Sequence, residues 1–294
     1  MPNPNPTVSV LTTVYNREKF LRECLESTQA SSWEDFEVIM VDDGSKDGSV
    51  AIMDEFAAKD PRFKSYQNDK NLGDYPNRRK AASLAKGKYI KYVDADDVIY
   101  PHSLELMVKA MESNPEAALG IAHSLPEDNS PYPWCLTNRE AYEKHFLGRG
   151  CLSCGPSGAI IRKGAYEEID GFRAFGVATD HDFWLRIAAR WSVVLLPPAL
   201  IWWRRHDGQE FKSGPAEMEY LCNGYVIQRD ALSAPECPLS EQDRAKAIEK
   251  VRQHHARRIL ATALRRRKPK LALTALKKSN LSFGDLLTGL KGYS

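Results

Sequence analysis

Apolar and polar positions alternate between two periods along the N-terminal part of the chain. Short apolar runs predict buried strands at 8–15, 36–41, 63–68 and 89–93. Between these runs apolar residues recur at helical spacing, which predicts helices, and Asn16 is the predicted N-cap of the first one. Strands that alternate with helices of this length pair in parallel through right-handed crossovers. The pattern therefore predicts an α/β sheet covered by helices on both faces.

Polar residues fall at the carboxyl ends of the predicted strands, the edge at which open α/β sheets bind ligands. They are Thr12, Thr13 and Tyr15 after the first strand, Asp42, Asp43 and Ser45 after the second, and Asp94, Asp96 and Asp97 after the fourth. Clustered carboxylates repel one another and are costly to desolvate, so this last group indicates a metal site, a phosphoryl-transfer nucleophile or a solvated turn. Because Arg78 and Arg79 flank the cluster, a metal-bound diphosphate is the favoured ligand.

Six segments resemble, in order, the motifs of the family 2 glycosyltransferases. They are VSVLTTVYN, VIMVDDGSKDGS, NLGDYPNRRKAASLAKGKYI, VDADD, ATDHDFWLRIA and WWRRHDGQ, which together extend over roughly residues 7–210. The resemblance implies the GT-A fold, a Rossmann-like, mostly parallel central sheet flanked by helices. It also implies inverting transfer of a sugar from a nucleoside-diphosphate sugar to an acceptor hydroxyl, in bacterial-type surface polysaccharide or lipopolysaccharide biosynthesis.

The resemblance assigns a first set of residues to the nucleotide. They are Thr13, Tyr15, Asp43, Arg78 and Asp94. A carboxylate such as that of Asp43 can accept the imide hydrogen of a pyrimidine, so a UDP-sugar is the favoured donor. Arg79 departs from the family pattern, because an asparagine commonly follows the arginine at the position of Arg78.

A divalent cation, Mn²⁺ or Mg²⁺, is the implied cofactor. Asp96 of the DADD segment matches the direct metal ligand of the family, and His206 matches a histidine that completes the metal site in many relatives. A hard cation that bridges two phosphate oxygens stabilises the charge that builds on the departing diphosphate. The alternative for His206, which follows Arg204 and Arg205, is an exposed surface residue.

Inversion requires a base on the acceptor side of the sugar. Asp180 matches the aspartate that serves as base in the family, and Asp182 follows it as a second carboxylate that can raise its pKa. The alternative is that Asp180 caps the helix that begins here. Trp184 and Ser157 are the residues expected to border the acceptor, although an aromatic residue at helical spacing is more often part of a core.

Two other classes of function compete with this interpretation. The VDADDV segment also fits the nucleophile motif of haloacid dehalogenase-like phosphohydrolases, but in those enzymes the nucleophile strand opens the domain, whereas three predicted strands precede it here. A non-catalytic nucleotide-sugar-binding protein is the other alternative, and the presence of both Asp96 and Asp180 argues against it.

Charge is distributed unevenly along the chain. The net charge is +2, yet residues 240–294 hold 14 Lys or Arg against 4 Asp or Glu. We predict a catalytic domain at 1–210 and a basic helical region at 211–294, with a helix from Ser240 and another after Pro269. The basic helices either pack on the catalytic domain or contact an anionic membrane peripherally. Because no aromatic residues are interleaved with the basic run, nucleic acid is not an expected partner.

The remaining composition favours a cytoplasmic protein. The longest apolar run is too short for a bilayer and contains Pro197 and Pro198, and the first residues show no signal pattern. The six cysteines are scattered, as is typical of reduced thiols. Cys151 and Cys154 form a CxxC that would bind zinc only with additional ligands such as Cys135 and His145, so two reduced thiols are the default interpretation.

Overall fold

A computed structural model of the protein describes residues 3–122, 130–173, 175–207, 209 and 214–288. The chain divides into two compact units, each assembled from three stretches of sequence. Unit 1 comprises Met1–Thr137, Cys154–Arg173 and Trp191–Arg205. Unit 2 comprises Asn138–Ser153, Ala174–Arg190 and His206–Ser294. The predicted domain boundary after residue 210 stays a prediction.

Unit 1 is organised around a mixed sheet. Its strands are β1 (Val8–Val14), β2 (Phe36–Asp42), β3 (Phe63–Gln67), β4 (Tyr89–Tyr92), β5 (Val98–Ile99), β6 (Ala117–Ala122), β7 (Trp134–Leu136), β8 (Ala159–Arg162), β9 (Ser192–Leu196) and β10 (Ile201–Trp202). Within the described residues, eight strands form one sheet in the order β3-β2-β1-β4-β8-β6-β9-β7, while β5 and β10 pair separately. The first four strands are parallel and β8 is antiparallel to both of its neighbours. The predicted GT-A architecture, a mostly parallel sheet flanked by helices, is confirmed.

The helices are numbered in chain order across both units. Unit 1 contains α1 (Glu18–Gln29), α2 (Ser49–Lys59), α3 (Asp74–Leu84), α4 (Ser103–Glu112) and α6 (Lys163–Glu168). Unit 2 contains α5 (Asn138–Tyr142), α7 (Thr179–Ala188), α8 (Gly214–Ser233), α9 (Glu241–Leu264), α10 (Pro269–Lys278) and α11 (Phe283–Thr288). The last turn of α5 continues as a π-helical segment, Glu143–Leu147.

Side-chain alternation along the strands separates two apolar layers. Even-numbered positions of β1 and β2, such as Val10 and Met40, belong to a core that includes Leu21 of α1, Met53 of α2 and Met107 of α4. The odd-numbered positions are also buried, except that Thr13 is half-buried. Helix α3 contacts β1 and β2 without contributing to that core. Both faces of this part of the sheet are therefore covered, which explains why its strands are near-continuous apolar runs.

The predicted N-cap role of Asn16 is wrong. Helix α1 begins at Glu18 with Arg17 at the N-cap, and the first N–H of the helix donates to the Asp47 carboxylate at 3.1 Å. Asn16 adopts a left-handed backbone with φ +52°. Its side-chain oxygen accepts a hydrogen bond from the N–H of Lys46 at 2.8 Å, and its own N–H donates to the Ser45 hydroxyl at 2.8 Å. Asn16 therefore joins the loops that follow β1 and β2, at the ligand-binding edge of the sheet.

The turn into β4 holds that strand against β1. The N–H of Gly87 donates to the Ser9 hydroxyl at 2.8 Å, and this hydroxyl donates to Glu37 at 2.7 Å. A Cβ on Gly87 would collide with the backbone of Ser9, so only glycine fits this close approach. The contact fixes the register that pairs Val8 with Tyr89 and thereby sets where β4 ends.

Unit 2 confirms the helices predicted near the end of the chain. The Ser240 hydroxyl accepts a hydrogen bond from the N–H of Asp243 at 3.2 Å and caps α9, and Pro269 starts α10. The shared core of these helices consists of Leu221, Cys222, Ile259, Ala272, Ala275 and Leu276. In the described part of the chain, none of the helices combines the length and apolarity that crossing a bilayer requires.

Candidate active site

Residues 94–97, here called the aspartate turn, follow directly after β4. The N–H of Asp97 donates to the carbonyl of Asp94 at 2.8 Å, which closes the turn, and the Cys24 thiol contacts the same carbonyl at 3.4 Å. Because β2, β1 and β4 are adjacent and parallel, this turn lies at the same sheet edge as the residues that end β1 and β2. Sequence reasoning brought these strand ends together correctly.

Arg78 is the cationic partner of Asp94. Its guanidinium is buried, donates to the Asp94 carboxylate at 2.7 Å and to Asp74 at 2.9 Å, and lies 5.6 Å from the ring centres of Tyr75 and Tyr92. Burial alone would lower the pKa of Arg78, but the two carboxylates outweigh it and raise this pKa well above its usual value. The side chain is a fixed positive charge at the turn.

Asp96 presents its carboxylate to a different cation. Arg17 Nε lies 3.3 Å from Asp96 Oδ2, and only 16% of the Asp96 side chain is exposed. Arg204 Nε donates to the Asp96 carbonyl at 2.9 Å, and the same guanidinium pairs with Glu23 at 2.6 Å. The Asp96 backbone is thus anchored separately from its carboxylate, which remains directed at a positive charge.

Asp97 was given no separate role from the sequence, yet it is the most buried carboxylate of the turn. Its Oδ1 accepts a hydrogen bond from the Arg204 N–H at 3.2 Å. Burial, reinforced by the negative charge of Asp94, raises the pKa of Asp97 to about 7. The charged form of Asp97 is therefore disfavoured relative to an exposed carboxylate.

Asp43 organises the loop that leads into α3. Its carboxylate accepts hydrogen bonds from Asn68 at 2.7 Å, from the N–H of Leu72 at 2.8 Å and from the N–H of Gly73 at 2.9 Å. A carboxylate offers about four lone-pair positions, so one acceptor position is left for a ligand. Gly73 adopts φ +90°, a conformation that disfavours other residues.

The remaining residues predicted to bind the nucleotide, Thr13 and Tyr15, lie at the carboxyl end of β1. Thr13 is half-buried within the strand, and Tyr15, just beyond it, is 47% exposed. An exposed tyrosine at this edge offers an aromatic face to a planar ligand. Arg79, the departure from the family pattern, pairs with Asp170 at 2.8 Å.

The two residues expected to border the acceptor are both buried. The Ser157 hydroxyl accepts a hydrogen bond from the N–H of Asp94 at 3.0 Å, so Ser157 contacts the aspartate turn. Trp184 is completely buried on α7 and its ring lies 5.3 Å from that of Phe183. This environment fits the core alternative for Trp184.

Asp180, the predicted base, lies in unit 2. It is half-buried in the first turn of α7, and its carboxylate accepts a hydrogen bond from the N–H of His181 at 2.7 Å. Ala178 occupies the N-cap position, so Asp180 does not cap the helix. Asp182 is buried and pairs with Arg186 at 2.8 Å, one helical turn later. The two neighbouring aspartates therefore have different environments.

A histidine pair supports the start of α7. His145 Nδ1 accepts from the N–H groups of Leu152 at 3.2 Å and Cys151 at 3.4 Å, so this nitrogen carries no proton. His145 Nε2 must then carry the proton, and it donates to His181 Nε2 at 3.4 Å. This arrangement uses both rings as neutral hydrogen-bonding groups and ties the 145–152 loop to the residue after Asp180.

Oxygen-rich chemistry at the aspartate turn fits a divalent cation. Carboxylates are the ligands that Mg²⁺ and Mn²⁺ prefer, and Arg17 already holds a positive charge against Asp96. Within the described ranges no three His, Cys, Asp or Glu side chains are grouped to hold a metal ion by themselves. Diphosphate oxygens and water would be among the further ligands. His206 is half-buried in unit 2, and its N–H donates to Gln209 at 3.1 Å.

Comparison with known proteins establishes the family. The family model described as glycosyl transferase family 2 matches residues 9–170. An uncharacterised glycosyltransferase of Methanocaldococcus jannaschii is 32% identical over 194 residues, which cover 63% of this chain and 65% of that protein. GlyG of Streptococcus pneumoniae serotype 4 is 28% identical over 220 residues, 68% of this chain and 71% of GlyG. The chain therefore belongs to glycosyl transferase family 2, and the haloacid dehalogenase-like alternative is not favoured.

Solved structures share the fold. The crystal structure of S. aureus TarS 1–349 in complex with UDP-GlcNAc matches with a TM-score of 0.70 at 19% identity, covering 97% of this chain and 82% of that one. The mannosyltransferase PcManGT of Pyrobaculum calidifontis, in complex with GDP-Man and Mn²⁺, matches with a TM-score of 0.62 at 15% identity, covering 99% and 88%. The chain spans just under two thirds of the Methanocaldococcus relative.

The histidine pair predicts an acid-sensitive unit 2. Burial lowers the pKa of His181 to about 4, against about 6.5 in an unfolded chain. Between these values the unfolded chain binds a proton that the folded chain does not, so the free energy of unfolding falls as pH falls from about 7 to 4. For this half-buried side chain we expect a contribution of about 2 kcal/mol to that loss, which His181→Asn should remove. His255, whose pKa burial also lowers to about 4, should contribute equally in the wild type and the variant. Urea denaturation at several pH values measures it, and an equally steep pH dependence in the variant would contradict the prediction.

Proposed function

We propose that the protein is an inverting, divalent-metal-dependent glycosyltransferase. It transfers a sugar from a nucleoside-diphosphate sugar, with a UDP-sugar favoured, to the hydroxyl of a saccharide or lipid-linked acceptor in surface polysaccharide or lipopolysaccharide biosynthesis. The observation that carries this proposal is the aspartate turn at the carboxyl end of β4, where Asp94 meets Arg78 and Asp96 meets Arg17 beside the ends of β1 and β2. The nucleotide-sugar complexes of S. aureus TarS and PcManGT support it.

The donor would be held by the edge of unit 1. Tyr15 supplies an exposed ring for the base, and Asp43 has an acceptor position for the imide hydrogen, with Thr13 beside them. Arg78 holds Asp94 in place, so that this carboxylate can accept a hydrogen bond from the ribose.

The metal would be held by Asp96, with His206 as a second ligand. When bound, a divalent cation stabilises the charge that develops on the departing diphosphate. Asp96 is suited to this role because its backbone carbonyl is fixed by Arg204, while its carboxylate faces the guanidinium of Arg17, which is 30% exposed. Arg17 would then have to yield Asp96 Oδ2 to the ligand or share it.

Asp180 would act as the base. An inverting reaction is a single in-line displacement, so one carboxylate must take the proton of the acceptor hydroxyl on the face opposite the leaving group. Asp180 is the better of the two candidates because Asp182 is committed to Arg186. Asp182 would hold α7 and add negative charge near Asp180. Ser157 is the proposed acceptor-side neighbour, whereas the complete burial of Trp184 fits a place in the core.

If Asp180 is the base, its replacement should reduce turnover without reducing nucleotide affinity. In Asp180→Asn we expect nucleotide binding to be retained and sugar transfer to fall by about 10²-fold to 10⁴-fold, because the amide cannot accept the proton. Calorimetry with UDP and a coupled assay for UDP release measure the two properties. Asp230→Asn, an exposed aspartate on α8 paired with Arg229, is the matched control and should transfer normally. Full transfer activity in Asp180→Asn would show that another residue is the base.

We also propose that the basic C-terminal helices contact the cytoplasmic face of an anionic membrane. Every residue from 264 to 270, which spans the end of α9, the connection and the start of α10, is exposed. This stretch contains five cations and Leu264, which is 73% exposed. Leu273 is 48% exposed one turn further along α10. Basic side chains beside exposed leucines favour adsorption to an anionic lipid surface, where each cation contributes about 1 kcal/mol.

Membrane contact predicts a charge-specific loss of liposome binding. Replacement of Arg265, Arg267 and Lys270 by alanine should weaken co-sedimentation with anionic phosphatidylglycerol vesicles by at least about tenfold. The matched control replaces three exposed lysines of unit 1, Lys59, Lys86 and Lys109, and should bind like the wild type. Equal binding to neutral phosphatidylcholine vesicles, or an equal loss in the control, would exclude this surface.

A further inference from the structure

Lys91 is a buried cation that the proposed function leaves unused. It lies in the middle of β4, between Ile90 and Tyr92, and its side chain has no exposed surface. Burying an ammonium group among apolar residues costs several kcal/mol unless partners compensate it. A strand of this kind would pack as well with leucine or methionine, so the position of the charge requires an explanation.

The partners of Lys91 lead to the aspartate turn. Its Nζ donates a hydrogen bond to the carbonyl oxygen of Ser157. The hydroxyl of Ser157 accepts from the N–H of Asp94 at 3.0 Å and also hydrogen-bonds the carboxylate of Asp97. Ser157 is therefore a connector, with Lys91 on one side and both ends of the turn on the other.

Two electrostatic partners of Lys91 lie in the same turn. Burial lowers the pKa of Lys91 to about 8, and interactions first with Cys154 and then with the negative charges of Asp94 and Asp97 oppose this lowering. At neutral pH the ammonium form therefore still predominates. Arg78 is shared between Asp94 and Asp74, so it does not neutralise the turn by itself. Lys91 supplies a positive charge from inside the sheet that solvent cannot screen.

We propose that Lys91 is a positioning residue whose buried charge makes binding of the divalent cation depend on the diphosphate. This inference rests on the proposed function. A fixed positive charge behind the aspartate turn disfavours a free divalent cation and favours the anionic diphosphate. The cation is then retained only together with the nucleotide, whose phosphates restore the negative charge. Lys91 touches neither ligand and acts through Ser157 and the turn.

The sign of the effect distinguishes this role from a purely structural one. In Lys91→Met, which has a similar shape without the charge, Mn²⁺ alone should bind about tenfold more tightly and UDP alone more weakly, because a unit charge near the site is worth at least that much. A residue that only supported the fold would weaken both ligands when replaced. Electron paramagnetic resonance of free Mn²⁺ and calorimetry with UDP measure the two affinities on the full chain.

Three further variants make the test specific. Lys91→Arg keeps the charge, so its affinity for free Mn²⁺ should stay as low as that of the wild type. Ser157→Ala removes the connecting hydroxyl without changing the charge, so it should not tighten Mn²⁺ binding. Lys88→Met removes an exposed lysine that pairs with Glu112, and both affinities should stay at the wild-type values.

The outcomes separate this inference from the proposed function. If the wild type binds Mn²⁺ no better with UDP than without it, the metal-dependent function itself fails. If the wild type shows that dependence and Lys91→Met keeps the same two affinities, or loses both, the charge role of Lys91 is overturned. Thermal melting of each variant identifies any loss of folding, and Lys91→Arg then supplies the decisive comparison.

Discussion

Negative charge crowded at the carboxyl end of β4 is the constraint on which the whole site depends. Each carboxylate of the aspartate turn is stabilised differently: Asp94 by Arg78, Asp96 by Arg17, and Asp97 by the Arg204 N–H. Of these partners, Arg17 is a long side chain on a carboxylate that is still partly exposed. Under the proposed function a ligand cation would replace Arg17 at this carboxylate, while the other contacts keep the turn in place.

Contacts remote from the aspartate turn fix its position in the fold. Gly87 permits β4 to approach β1 closely, and the Asp43 carboxylate fixes the backbone of residues 72 and 73 before α3, which carries Arg78. In unit 2 the histidine pair performs a comparable task for α7, because it ties a loop to the residue that follows Asp180. In both units, backbone N–H groups and buried polar side chains place the carboxylates, while the apolar core supplies the rigid elements.

Much of unit 1 could be predicted because its strands are apolar runs and its polar residues follow them. Local polar contacts were harder to predict from the sequence. Asn16 precedes a helical pattern, yet its side chain accepts a hydrogen bond from the backbone of Lys46 and does not cap the helix. Asp182 and Arg186 have the spacing of a helical ion pair, a signal that was present in the sequence, and the catalytic role predicted for Asp182 stays a prediction. Ser157 and Lys91 lie far apart in the sequence, so only the fold reveals their contact; the lone lysine inside an apolar strand was the available signal.

The most direct test of the central claim is to locate the cation. Crystals soaked with UDP and MnCl₂, measured near the manganese absorption edge, would give an anomalous difference peak at the metal. We predict a peak within bonding distance of the Asp96 carboxylate and of the diphosphate oxygens, with Arg17 displaced or shared. Bound UDP with no peak at Asp96, and with Arg17 still paired to that carboxylate as before, would contradict the claim.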